Sequence, residues 1–244
     1  MAPRLIGIGS ALVDQLAYVS EAFVAGIPGR KGGMELVDHP GVTALIEQLA
    51  SPPAQVPGGS AANTVVGAAR LGLSAGLLSK IGPDDFGRFY RASLLEGGVD
   101  TRSIKVDARE PTGVCLCLVT PDSQRTMRTF LGAGAVMTAA DIVPADFDGV
   151  EHAHIEGYLL FNRDLMRHTL STAREAGCSV SLDLAAPEVV ESSLDILPEL
   201  LNEYVDMVFA NEDEAVAFSG GADESRSLDR LASCCEIAVV KLGA

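Results

Sequence analysis

The sequence predicts an α/β fold: a mostly parallel sheet covered by helices on both faces, with a small β appendage. Three observations predict it. From His152 onward, short apolar runs alternate with stretches of helical length, the strand–helix alternation that builds parallel sheets. Before that, residues 112–131 form two extended segments around the turn Pro121-Asp122-Ser123, a hairpin signal. The composition, 48% hydrophobic and 21% charged over 244 residues, suits one large globular domain, alone or with a small addition.

The elements follow in order. Residues 4–9 (RLIGIG) read as a buried first strand, and 11–19 continue with apolar positions broken by Asp14. Residues 26–33 (GIPGRKGG) are a turn-rich connector. Residues 40–49 predict a short helix, stopped by Ser51-Pro52-Pro53. Pro57-Gly58-Gly59-Ser60 then leads into a helix over 61–71, with Ser60 as its N-cap and Gly72 beyond its end. A strand over 75–81 and a helix over 84–95, closed by Gly97-Gly98, come next. The hairpin and the first forty residues together predict a small β lid. After it the pattern predicts a strand (153–157), a helix (164–176, ended by Gly177), a strand (179–184) and a helix (193–204). It closes with a strand (207–210), helices between Glu212 and Cys235, and a strand (237–241).

Charge and composition exclude several classes. A net charge of −15 repels phosphate backbones and argues against nucleic acid as a partner. No apolar run is long enough for a membrane span, and residues 1–9 lack the apolar core of a signal peptide. Five cysteines, an odd number without a CxxC pair, read as reduced thiols of a cytoplasmic protein. His152 and His154 alternate on one face of a strand, as a metal pair or as two neutral imidazoles.

Four motifs could carry chemistry. Gly58-Gly59-Ser60-Ala61-Ala62-Asn63 lets a backbone approach a ligand at a helix start, with Asn63 adding a two-way amide. It reads equally as a Gly-rich turn with a capped helix. Gly7-Ile8-Gly9 lacks the third glycine of a dinucleotide site, because Leu12 stands there, which disfavours a nicotinamide oxidoreductase. Asp14 just beyond a buried strand can accept hydrogen bonds from two vicinal hydroxyls, or cap a turn. Asn211 and Glu214, three apart at a helix start, suit a hydrated Mg2+ or an ordinary acidic N-terminal turn. Arg125 and Arg128 beside the hairpin turn could meet an anion or lie in solvent.

The order of GSALVD, GGSAAN, SKIGPDDFG, PTGVCLCLVTPDSQRT, NEDE and VVKLG resembles the ribokinase-like (PfkB) carbohydrate and nucleoside kinases over essentially the whole chain. Within that group the long, partly helical stretch between Gly33 and Gly58 is most similar to the adenosine kinase branch. Ser10 departs from it, since Asn is usual there. The resemblance implies a three-layer α/β/α sandwich over residues 1–244, with a lid formed by about 14–37 and 103–131. It implies an ATP- and Mg2+-dependent phosphotransferase acting on a primary hydroxyl of a sugar or nucleoside. Asp14, Gly58, Gly59 and Asn63 would bind acceptor hydroxyls, and Arg125 would approach the transferred phosphoryl group. Asn211, Glu214, Lys241 and Gly243 would serve the nucleotide, with Glu214 acting on Mg2+ through water. The family's base aspartate and anion hole lie in an Asp-Thr-x-Gly-Ala-Gly-Asp motif; the Gly-Ala-Gly at Gly132 lacks the aspartate. The expectation is therefore a chain truncated before that segment and inactive alone. The alternatives are a non-catalytic binding protein or a dimerisation partner on the same scaffold, and a homodimer through the lid is expected.

Overall fold

In the computed structural model, which describes residues 4–221 and 223–243, the expected α/β architecture is present; residues 1–3, part of the stretch considered for a leader, lie outside it. In chain order the strands are β1 (Leu5–Ile8), β2 (Leu12–Tyr18), β3 (Met34–Leu36), β4 (Ala54–Gly58), β5 (Ala75–Ile81), β6 (Val99–Asp100) and β7 (Ile104–Val106). They continue with β8 (Gly113–Val119), β9 (Arg125–Phe130), β10 (His152–Glu156), β11 (Ser179–Asp183), β12 (Met207–Asn211) and β13 (Ile237–Lys241). The helices are α1 (Glu21–Ala25), α2 (His39–Glu47), α3 (Ser60–Arg70), α4 (Asp85–Glu96), α5 (Arg163–Glu175), α6 (Pro187–Ser193), α7 (Leu197–Tyr204), α8 (Glu212–Ser219) and α9 (Glu224–Ala232).

The large sheet runs β13-β12-β11-β10-β1-β5-β6, with β7 also on β5, and each of these pairings is parallel. Helices cover both of its faces, so β1, β5, β12 and β13 read as near-continuous apolar runs, while β10 and β11 alternate apolar residues with His152, His154, Ser179 and Ser181. One core joins Ile6, Ile8, Ile155 and Leu182 to Leu165, Met166 and Leu170 of α5. A second joins Leu77 and Ile81 of β5 to Ala61, Ala62 and Val65 of α3 and to Tyr90 and Leu94 of α4.

The small sheet runs β3-β9-β8-β2-β4. Successive side chains alternate between its faces. Ala17, Val114, Leu116 and Leu118 turn outward and pack under α1 and α2 with Val24, Ile27 and Val42. Leu12, Asp14, Cys115, Cys117, Met127 and Thr129 turn inward, toward a cavity. Asp84 ties the halves together. Its Oδ1 accepts from the Gly87 N–H at 2.8 Å, capping α4, and from Thr112 Oγ1 at 2.7 Å, and its Oδ2 accepts from the Thr112 N–H at 2.7 Å.

Several expectations need correction. The small sheet also takes in β4, while residues 104–106 pair with β5 of the large sheet, so the lid differs from 14–37 plus 103–131. The helix expected over 193–204 begins only at Leu197, with Pro198 in its first turn, and a separate helix that was not expected, α6, ends at Ser193 before it. Ser60 does not cap α3. Gly59 holds the cap position at φ +96°, where glycine is unstrained, and Ser60 begins the helix.

Candidate functional site

A cavity of about 480 Å3 opens between the inner face of the small sheet and the carboxyl ends of β1 and β10, beside the start of α3. That is where open parallel sheets carry ligands. Its polar lining includes Ser10, Asp14, Asn63, Arg125, Glu156 and Tyr158; most of the remainder is apolar or sulfur-bearing.

Asp14 lies in the middle of β2, opposite Cys115 of β8 and Val56 of β4. Neither carboxylate oxygen accepts a hydrogen bond from the described residues. Burial pushes its pKa up to about 6, against the opposing pull of the Arg125 charge. Gly58 packs directly on this carboxylate, and its carbonyl accepts from the buried Tyr90 hydroxyl at 3.0 Å. A Cβ on Gly59 would stand 2.5 Å from the Ser10 carbonyl oxygen, so the crossing of β2 and the α3 entry requires a glycine. Asn63, one turn into α3, is exposed at the cavity mouth, and its N–H donates to the Gly59 carbonyl at 2.9 Å. The structure thus gathers Asp14, Gly59, Asn63 and Arg125 on one cavity, with Gly58 immediately behind.

Sequence reasoning missed Glu156, the last residue of β10. It is 2% exposed and faces the same cavity. Oε2 accepts from Ser60 Oγ at 2.6 Å and Oε1 from the Ser10 N–H at 3.3 Å. Burial raises its pKa, and the Ser60 hydrogen bond opposes the rise. The one available signal was a carboxylate ending an otherwise apolar strand. Lys80 was missed as well. Its Nζ, 8% exposed as a residue, reaches Asp141 at 3.1 Å, Asp107 at 3.2 Å and the Val136 carbonyl at 3.3 Å. These bonds fix the segment carrying Gly134, Ala135 and Met137, one wall of the cavity.

The residues expected to serve a nucleotide stand apart, at the carboxyl ends of the next strands. Register places Glu156 beside Asp183 and Asn211 beside Lys241. Three strand spacings separate β10 from β13, roughly 14 Å. Lys241 Nζ pairs with Asp183 Oδ2 at 3.2 Å, and the Gly243 N–H donates to Glu212 Oε1 at 2.9 Å. Asn211 and Glu214 bond each other: the Asn211 N–H and Nδ2 donate to the two Glu214 oxygens, and the Glu214 N–H donates to Asn211 Oδ1, each at 2.8 Å. This is a reciprocal helix cap. The half-exposed Lys241 ammonium suits phosphate oxygens. Glu214 does not suit a Mg2+ site: it is 3% exposed and both oxygens are engaged. Among the described residues no group of three His, Cys, Asp or Glu side chains could hold a metal ion.

The remaining candidates are structural. Arg128 points away from the cavity, 2% exposed, and its guanidinium donates to the Pro28 and Met127 carbonyls. His152 and His154 both bond Ser181 Oγ, at 2.7 and 2.8 Å, and burial lowers both pKa values, so they are neutral imidazoles. All five cysteines are free thiols. Among the described residues no helix is long and apolar enough to cross a membrane.

Comparison with known proteins gives a consistent result. The family described as pfkB family carbohydrate kinase matches residues 46–244. A fructokinase from Klebsiella pneumoniae is 31% identical over 182 residues, covering 70% of this chain and 57% of the fructokinase. An aminoimidazole riboside kinase from Salmonella typhimurium is 29% identical over 198 residues, 77% of this chain and 61% of its own. The chain thus spans about three fifths of these curated relatives. The crystal structure of an adenosine kinase from Sinorhizobium meliloti superposes with a TM-score of 0.88 at 28% identity, covering 100% of this chain and 75% of that one.

Proposed function

The chain belongs to the pfkB family of carbohydrate kinases, and from that premise we propose that its lid-roofed cavity holds the hydroxyl face of a sugar or nucleoside. The acceptor's primary hydroxyl would take a phosphoryl group from ATP. One observation carries the reading: a cavity-lining carboxylate, Asp14, that accepts no hydrogen bond from the described residues, on the same cavity as the Asn63 amide. Asp14 would accept from two vicinal hydroxyls, each such charged bond worth about 1.5–3 kcal/mol. Asn63 would hold a neighbouring hydroxyl, and Gly58 and Gly59 would keep the backbone close. The sulfur-bearing inner face of the lid would cover the acceptor and exclude water.

ATP would supply the phosphoryl group, and Lys241 and the Gly243 N–H are the groups best suited to its phosphates. Arg125 would meet the transferred charge from the lid side. Mg2+ would be held mainly by the phosphates and water, since Glu214 is committed to its cap.

A binding-only reading is favoured by one specific feature. Two carboxylates line the cavity; Asp14 would be occupied by hydroxyls, and Glu156 already accepts from Ser60 and Ser10. Neither is left as a general base. We therefore expect these 244 residues to bind an acceptor without phosphorylating it. Free thiols fit a reducing compartment, and the cytoplasm is the proposed location. A homodimer through the lid would use the edges β3 or β4, because α1 and α2 cover the outer face.

The test is calorimetric titration with adenosine, an aminoimidazole riboside, fructose and ribose, beside an ADP-release assay with ATP and Mg2+. Saturable binding of one acceptor supports the reading. ADP release dependent on that acceptor would displace the binding-only form. Absence of binding across the panel would remove both.

A further inference from the structure

The inner face of the lid carries a row of sulfur that the proposed function does not require. Cys117 of β8 lies directly opposite Met127 of β9, and Met127 directly opposite Met34 of β3. All three side chains line the cavity, as does Cys115, two residues from Cys117 on the same face. Directly opposite residues of an antiparallel pair such as β8 and β9 hold their Cβ atoms about 4.5–5.5 Å apart, and the parallel β3 lies about 4.8 Å beyond. A thiol and two thioethers in such a row can therefore converge on one small ion.

We propose that Met34, Met127 and Cys117, with Cys115 beside them, form a site for a soft monovalent cation, Cu+ or Ag+, on the lid wall of the cavity. Soft thioether and thiolate donors favour Cu+ over hard ions such as Mg2+. Met supplies two of the three donors, so the row differs from the His, Cys and carboxylate clusters that hold hard or borderline metals. The surroundings fit a cation. Asp14 sits opposite Cys115, Glu156 borders the same space, and Arg125 is the one basic side chain among the lining residues.

Binding is an exchange without redox change. The Cys117 S–H bond breaks, a sulfur–metal bond forms, and one proton leaves for solvent. The cation then cancels the thiolate charge. An ion held there draws the lid-wall sulfurs together on the acceptor's side of the cavity, so it should weaken acceptor binding.

The competing account is ordinary packing: Met and Cys as adaptable apolar lining, with metal taken up by any accessible thiol. The test uses the reduced, full 244-residue chain in a Cys234→Ser/Cys235→Ser background, which removes the two partly exposed thiols. Cu+ is titrated without oxygen against a colorimetric Cu+ chelator. Met34→Leu and Met127→Leu conserve volume and leave every thiol in place. The proposal expects one tight Cu+, weakened at least tenfold by either Met variant and at least a hundredfold by Cys117→Ser, at unchanged melting temperature. Cu+ affinity indifferent to both Met→Leu changes would overturn it, as would equally tight Zn2+. Met34, on a sheet edge and 40% exposed, keeps the test open should Met127→Leu disturb the lid. Competition with the acceptor rests on the proposed function and is scored separately. Cu+ binding without acceptor binding contradicts the function alone, and acceptor binding without a Met-dependent Cu+ site contradicts this inference alone.

Discussion

Gly58 lies so close over Asp14 that a methyl group in place of its α-hydrogen would stand 2.2 Å from Oδ1. The obstruction is the end of a side chain that can swing away. Gly58→Ala should therefore damage binding more than folding, because the displaced carboxylate no longer faces the cavity. We expect acceptor affinity to fall about 10–100-fold, as in Asp14→Asn, from the loss of one or two charged hydrogen bonds. Titration calorimetry beside thermal melts checks this; equal affinity in wild type and Gly58→Ala would place the acceptor elsewhere.

Asp14 also makes stability pH-dependent. Its folded pKa, about 6, lies above the ordinary carboxylate value. The fold thus favours the protonated form. Its contribution is fully present below about pH 4 and lost as pH rises through 6. With solvent screening, on the order of 1–2 kcal/mol is at stake. The ligand-free chain should be more stable at pH 5 than at pH 7, and Asp14→Asn should remove that part of the difference. Acceptor affinity should run the other way, rising as Asp14 ionises. Chemical denaturation at the two pH values measures the first, and calorimetry the second.

Lys80→Met should loosen one cavity wall. It leaves Asp107 and Asp141 facing each other without a cation and frees the Val136 carbonyl. Both carboxylates keep some contact with solvent, so the loss should be measurable but smaller than for a fully buried pair. Lys105→Met is the control. Its Nζ–Asp146 pair, 2.7 Å long, also involves a buried carboxylate but lies off the cavity lining. Both variants should lose stability in urea; only Lys80→Met should also weaken acceptor binding.

Asn211→Ala should remove a cap whatever else Asn211 does. The expected loss is about 1 kcal/mol, or roughly 2–4 °C in melting temperature. An unchanged melting temperature would mean that the cap holds nothing, and would return Asn211 and Glu214 to the nucleotide.

The sequence reveals the parts of the fold whose signal is repeated. β5, β12 and β13 are readable as apolar runs and β10 and β11 as short alternating segments, each set between stretches of helical length. β3 is three residues long and β4 (AQVPG) contains a proline and few apolar residues, so neither carries a periodicity to read. Asp14, Gly59 and Asn63 were legible because glycines at a helix entry and an early carboxylate each imply a constraint. Glu156 and Lys80 were not, because each is a single charge in its strand, with partners remote in sequence, as far as 146 residues for Glu156 and Ser10. Asn211 and Glu214 show the opposite failure. The spacing that suggests a ligand pair is also the spacing of a capping box, and the hydrogen bonds follow the second.

The most direct test of the account is a calorimetric titration of the wild-type chain and Asp14→Asn with the acceptor panel at pH 7. The account predicts one-to-one binding of a polyhydroxylated ligand to the wild type, at least tenfold weaker in a folded Asp14→Asn. Identical affinity in the two proteins would contradict it.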